Sequence, residues 1–84
     1  MIIIDKTVLL DNIDKIHTTE MGLKRIGKNL GISDEPVSYC IQLIKKESKV
    51  TKKGKNYYVE VDDCIITINS SSFTIITAHK NKKR

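Results

Sequence analysis

The strongest constraint on the fold is the alternation of side chains on either side of Asp62-Asp63. A two-residue turn at these aspartates predicts a β-hairpin between about Tyr57 and Asn69. In that register one face is entirely apolar and holds Tyr57, Val59, Val61, Cys64, Ile66 and Ile68. The opposite face is mixed and holds Tyr58, Glu60, Ile65, Thr67 and Asn69. The hairpin must therefore have one face covered, whereas the other suits solvent or a ligand.

A second reversal at Ser70-Ser71 predicts a further strand beside this hairpin. A two-residue turn there adds four residues to the apolar face, namely Phe73, Ile75, Thr77 and His79. A loop with one residue more or fewer adds Thr74, Ile76 and Ala78 instead, and His79 then joins the mixed face. The sequence leaves both registers open. Since β-type residues begin at about Lys49, we expect a sheet of three to four strands.

Helical spacing predicts two to three helices before the sheet. Residues 5–16 have the apolar spacing of a short amphipathic helix. Thr18 or Thr19 can cap a second helix, for which Gly31 is the stop signal. Ser33, followed by two acids and Pro36, is a start signal for a third helix.

These elements predict an α+β fold. The helices should pack on one face of an antiparallel β-meander, because each apolar stripe needs a partner. We expect a single domain over residues 1–79, followed by a basic tail over residues 80–84.

Composition excludes several classes of protein. With 84 residues and a mass of 9.6 kDa, the chain is too short for a multidomain enzyme. It has no apolar run of the roughly 18 residues that a membrane span needs and no pattern of a secretory signal. We therefore expect a cytoplasmic protein. Cys40 and Cys64 lack the spacing of a zinc or redox motif, so we expect no metal and no cofactor.

The formal net charge of +5 comes from three segments. They are the predicted second helix with Lys24, Arg25 and Lys28, a lysine run from Lys45 to Lys55, and the C-terminal tail. Lysines next to the Tyr57-Tyr58 pair suit a polyanion, although such lysines also occur as solvated surface. RNA is therefore the partner that we expect.

Five stretches carry a resemblance to a known family: residues 17–20, Arg25-Ile26 with Asn29-Leu30, Gly54-Lys55-Asn56, Ile65 to Asn69 and Thr74 to Lys80. Together they resemble the small bacterial family known as domain of unknown function 3781. This resemblance extends over nearly the whole chain and implies no settled activity. The element order is also similar to the RelE-like and barnase-like ribonuclease fold of bacterial toxins and phage proteins. That second resemblance implies RNA cleavage on an open sheet face and an adjoining helix.

Metal-independent RNA cleavage needs a base, an acid and cations for the phosphate. His17 and His79 are the candidate acid and base, in unassigned order, because imidazole titrates near neutrality. Arg25 completes the predicted catalytic set by holding the phosphate. The residues predicted to bind substrate are Lys24, Lys28, Tyr58, Thr77 and Lys80.

The sequence thus predicts an endoribonuclease of toxin type, as a monomer or homodimer, with an antitoxin or another protein as a further partner. The alternative is a non-catalytic module that binds nucleic acid or protein, such as a phage-type or plasmid-type inhibitor. In that case His17 extends a helix cap and His79 merely ends a strand. A separation of the two histidines above about 12 Å would favour the alternative, since concerted acid and base groups work at hydrogen-bond reach.

Overall fold

A computed structural model describes residues 2–32, 35–46, 48–61 and 64–80, and it confirms the α+β class. The strands are β1 (Ile2–Ile4), β2 (Lys49–Lys53), β3 (Asn56–Val61), β4 (Cys64–Asn69) and β5 (Ile75–Lys80). The helices, all between β1 and β2, are α1 (Thr7–Leu10), α2 (Glu20–Leu30) and α3 (Pro36–Lys45), with a 3-10 turn at Ile13–Lys15. Each strand pairs antiparallel with the next, in the order β1-β2-β3-β4-β5.

The sheet has one strand more than the sequence predicted. The additional strand is β1, which lies at the sheet edge and pairs Ile3 with Thr51 of β2. Three apolar residues are too few to display the period of two that identifies a strand. As a result, the lysine-rich strand β2 is an inner strand and not the edge of the sheet.

The hairpin of β3 and β4 has the predicted register. Val61 pairs with Cys64, Val59 with Ile66 and Tyr57 with Ile68. All six of these residues are buried. The turn residues 62 and 63 lie outside the described residues.

A bulge in β5 reconciles the two registers that the sequence left open. Ile68 pairs with Ile75 but Thr67 pairs with Thr77, so Ile76 is an extra residue between them. An extra residue shifts the strand by one position and exchanges its two faces. Each predicted register is therefore correct for one part of the strand. Ile75 and Ala78 are buried, whereas His79 is exposed on the opposite face.

The predicted helix over residues 5–16 is wrong in its extent. It is divided into α1 and the 3-10 turn at Ile13–Lys15, with a break at Asp11 and Asn12. The Asn12 side-chain amide donates to the carbonyl oxygen of Val8 at 2.7 Å. Side-chain bonds of this kind to nearby carbonyls compete with continuation of a helix.

The ends of α2 follow the predicted signals. The Thr19 hydroxyl caps the helix by accepting a hydrogen bond from the Gly22 backbone N–H at 3.0 Å. Gly31 ends it in the left-handed conformation, with a φ of 65°.

The observed cap of α3 is Glu35. Its carboxylate accepts from the backbone N–H groups of Val37 and Ser38, and Pro36 occupies the first helical position. Ser33, the predicted cap, lies outside the described residues.

One face of the sheet and the inner sides of the helices form the core. The fully buried side chains there include Leu9, Ile26, Cys40, Ile44, Val59, Ile66 and Ala78. In this arrangement α2 packs against β5, and α3 contacts β3. Among the described residues, no helix is long and apolar enough to cross a membrane.

Candidate nucleic-acid interface

The face of the sheet opposite the core, here called the open face, consists mainly of two rows of residues that cross the strands. The central row is Ile3, Thr51, Tyr58, Thr67 and Thr77, and the neighbouring row is Lys49, Glu60, Ile65 and His79. The alternation of β3 and β4 directs these side chains away from the helices. The predicted residues Tyr58, Thr77 and His79 therefore lie on one surface.

The second predicted group lies on the other side of the domain. Lys24, Arg25 and Lys28 are exposed on the outer surface of α2, whose buried residues Gly22, Ile26 and Leu30 face inward. Together with Met21 and Asn29, these cations line a shallow, open depression of about 390 Å³. The helix and the sheet separate this group from the open face, so the two predicted groups do not form one site.

His17 is held at the edge of β5 by both ring nitrogens. Its Nδ1 lies 2.7 Å from the carbonyl oxygen of Lys15, and its Nε2 lies 3.1 Å from the hydroxyl oxygen of Thr74. Only an N–H can bond a carbonyl oxygen, so we infer that Nδ1 carries the proton and that Nε2 accepts from Thr74 in the neutral ring. The imidazole therefore ties the segment before α2 to the start of the last strand.

Backbone bonds strengthen the same connection. The N–H of His17 donates to the carbonyl oxygen of Phe73, and the N–H of Ile75 donates to that of His17. The Thr18 hydroxyl also donates to the carbonyl oxygen of Ile75, at 2.8 Å. These bonds give His17 a structural function in joining the segment before α2 to β5, which differs from the extension of a helix cap expected as its alternative.

The two candidate histidines lie at opposite ends of β5. His17 is the bridge partner of Thr74, and His79 is five residues further along the chain. At the usual rise of about 3.3 Å per residue, their backbones are roughly 15 Å apart. His79 is exposed beside Thr77 on the open face, opposite Ile65. An acid and a base at this separation do not reach the same phosphodiester.

The central row contains the least exposed residues of the open face. Thr51 and Thr67 are the partners of Tyr58 on its two sides and are only 9% and 7% exposed, although no described helix covers them. Neighbouring side chains of the same face must cover them, and Tyr58 lies between them. Its own side chain is partly exposed. The open face thus presents an aromatic side chain flanked on the neighbouring strands by two threonines.

A depression of about 310 Å³ adjoins this ring. Its lining residues are Thr51, Lys53, Tyr58, Glu60 and Ile65. The depression combines an aromatic and an aliphatic side chain with a hydroxyl, a cation and a carboxylate. Thr51 was missed as a site residue, because β2 has no apolar alternation in the sequence that would assign its faces.

Lys80 and the cysteines contribute little to either surface. Lys80 is the last residue of β5 and pairs with Cys64, which belongs to the core side of the sheet. Lys80 is therefore not part of the open face. Burial, with a smaller contribution from Cys64, raises the pKa of the Cys40 thiol to about 12. Both cysteines are buried, and no group of three or more potential metal ligands occurs among the described residues.

Comparison with known proteins identifies a family. Residues 10–79 match the family described as "Protein of unknown function (DUF3781)". The chain belongs to this family. The match includes α2, α3, β2, β3 and β4 together with nearly all of β5, whereas β1 precedes it. Most residues of the open face and of the outer surface of α2 therefore lie within the part of the chain that matches DUF3781.

No curated protein and no solved structure gives a significant match. The similarity to RelE-like and barnase-like ribonucleases accordingly stays a prediction from the sequence.

Proposed function

We propose that this DUF3781 protein is a non-catalytic module that binds single-stranded RNA on its open face. The observation that supports this function best is the position of Tyr58, a partly exposed aromatic side chain in the centre of a sheet face that no described helix covers. Unpaired bases stack on such aromatic platforms, and this stacking tolerates different base sequences.

The charges around Tyr58 suit the RNA backbone. Lys49 and Lys53 lie on the same face of the adjacent strand β2, and Lys55 follows in the turn to β3. Lysines beside an aromatic platform can follow successive phosphates while the bases stack. Threonine hydroxyls of the central row add donors and acceptors for base edges or the 2′-hydroxyl.

Ribonuclease activity is the second candidate. It is favoured by His79, which shares the open face with Tyr58 and Thr77 and is exposed there. Such an activity would use His79 with other groups of the open face, because His17 lies at the far end of β5. The binding function is preferred, since it needs no second proton-transfer group at the same position.

The test measures binding and cleavage on the same samples. A labelled single-stranded RNA of twelve nucleotides is titrated with wild type, Tyr58→Ala and Tyr58→Phe in EDTA, at several salt concentrations. We expect binding that weakens with salt and that falls about 5- to 150-fold in Tyr58→Ala, which corresponds to about 1–3 kcal/mol for one stacked base. The matched control Tyr58→Phe keeps the ring and should retain most of the affinity.

Gel analysis of the same RNA separates the two candidates. Intact RNA together with a loss of affinity in Tyr58→Ala supports the binding module. Cleavage in EDTA that falls about a hundredfold in His79→Ala or His17→Ala establishes the ribonuclease instead. Absence of both binding and cleavage contradicts both functions and points to a protein partner.

A further inference from the structure

We infer that the depression beside Tyr58 selects a guanine base, whose Watson–Crick edge is recognised by Glu60. This inference rests on the proposed function, because it assigns a base to the same open face. Tyr58 and Glu60 lie on the same face of β3, and both line the depression. The two residues are two positions apart along the strand, which is about 7 Å, so a base stacked on the tyrosine ring has its edge near the carboxylate.

The location of Glu60 is unusual for a surface that attracts a polyanion. Its row also contains Lys49, Ile65 and His79, and the depression also contains Lys53. A carboxylate in this position repels phosphates and weakens binding that does not depend on sequence. It is exposed, and its nearest partners across the sheet are Lys49 and Ile65. A contact to the base edge would explain a negative charge beside the aromatic platform.

The chemistry of a carboxylate distinguishes the four bases. An ionised carboxylate only accepts hydrogen bonds, and its two oxygens can accept from two adjacent donors. Guanine presents two adjacent donors, the ring N1–H and the exocyclic N2 amino group. Adenine and cytosine each present one amino group next to an unprotonated ring nitrogen, which repels the second oxygen. Uracil presents a single N–H between two carbonyl oxygens.

The remaining lining residues suit the rest of a guanine nucleotide. Ile65 lies opposite Glu60 and offers apolar contact to the base. Lys53 borders the same depression on the β2 side and can contact a phosphate as a point charge. A volume of about 310 Å³ lies at the lower end of the range usual for small-molecule pockets.

The experiment compares four labelled RNA probes that differ at one position. Each probe is a nine-nucleotide uridine tract with guanosine, adenosine, cytidine or uridine at the centre. Wild type should bind the guanosine probe about 5- to 150-fold more tightly than the uridine probe, the discrimination expected of one bidentate contact. In Glu60→Gln, the ratio of the affinity for the guanosine probe to that for the uridine probe should fall close to one. Affinity for the all-uridine probe should be retained or increased.

Glu20→Gln is the matched control, because it removes the same charge from an exposed glutamate on α2. It should leave the guanosine preference unchanged. Both substitutions alter exposed side chains, so folding is not expected to limit the comparison.

The outcomes separate this inference from the proposed function. Equal binding of all four probes, still dependent on Tyr58, overturns guanine selection and leaves the RNA-binding function in place. A preference for adenosine or cytidine, or a guanosine preference that survives in Glu60→Gln, also overturns the role of Glu60 in selecting guanine. A failure of wild type to bind any probe contradicts both the inference and the proposed function.

Discussion

The two faces of the sheet come from the same strands but differ in what covers them. Along β4, Ile66 and Ile68 are fully buried under the helices, while Ile65 is partly exposed on the open face. The covered face is apolar throughout its centre, whereas the open face combines threonines, a tyrosine and charged residues. The difference indicates that one face stabilises the fold and that the other is available for a ligand.

A comparison with the outer surface of α2 sharpens this point. That surface carries three cations, Lys24, Arg25 and Lys28, beside the exposed Met21, but no aromatic side chain lines its depression. The open face carries lysines around an aromatic ring. Both surfaces carry cations, but of the two depressions only the one on the open face is lined by an aromatic side chain of the kind on which bases stack.

The largest effect should distinguish the two faces of β4. We expect Ile66→Ala to lower the free energy of unfolding by about 2–5 kcal/mol, because it leaves a cavity in the core. Its neighbour Ile65 is the matched control, and Ile65→Ala should cost about 1 kcal/mol or less. Urea unfolding measures both values. Similar losses in the two variants would show that the open face is also structurally essential.

The next effect separates the open face from the outer surface of α2. Lys49→Gln/Lys53→Gln and Lys24→Gln/Lys28→Gln each remove two positive charges, so they change the net charge equally. Removing two phosphate contacts should reduce the slope of log affinity against log salt by about 1.4 for single-stranded RNA. We expect this change only in Lys49→Gln/Lys53→Gln, whose substitutions lie on β2. An equal change in the α2 variant would place RNA on the helix side as well.

A smaller effect tests whether α2 contributes stability without binding RNA. Thr19→Ala removes the cap of α2 and should lower the free energy of unfolding by about 1 kcal/mol. Affinity for RNA should not change at temperatures at which the variant is folded. Ser38→Ala is the control, since it removes a hydroxyl that bonds Glu35 in α3 but retains the backbone N–H bond that caps that helix. A loss of RNA affinity in Thr19→Ala would contradict the assignment of RNA binding to the open face and of a purely stabilising role to α2.

The smallest effect concerns the cap of α3. The hydrogen bond from the Ser38 backbone N–H lowers the pKa of the Glu35 carboxyl below its usual value. A lowered pKa in the folded protein means that the stabilisation is fully present above the unfolded pKa and is lost as pH falls through the folded pKa. The protection factors of the Val37 and Ser38 amides, which are the ratios of the exchange rate in an unstructured peptide to that in the protein at the same pH, should therefore fall in acid, and Glu35→Gln should remove this pH dependence. An unchanged dependence in that variant would assign it to another group.

The parts of the fold that were predicted correctly depend on short-range patterns. Val59 and Ile66 could be paired from the sequence, because a two-residue turn and a period of two fix the register of a hairpin. Thr19 and Gly31 could be identified as the ends of α2 for a similar reason, since caps are formed by residues within one turn.

The parts that were missed depend on contacts between distant segments. The bulge at Ile76 lets Ile75 and Ala78 both face the core, and a simple alternation cannot represent it. The strand Ile2–Ile4 becomes recognisable only through its pairing with β2. For the candidate site, the sequence left the face of Thr77 and His79 open, and the bulge in β5 places both on the same face as Tyr58. The position of Arg25 on the far side required the helix packing.

The sequence by itself determined the α+β class, the central hairpin and the mixed character of its outer face, because local periodicity and turn residues encode these features. The tertiary structure alone decided that His17 bonds Thr74 at one end of β5 while His79 lies at the other. It also decided that the cations of α2 and the aromatic ring of Tyr58 occupy opposite sides of the domain. The physical reason is that the helices must bury their apolar sides against one face of the sheet, and this packing leaves the other face open to solvent.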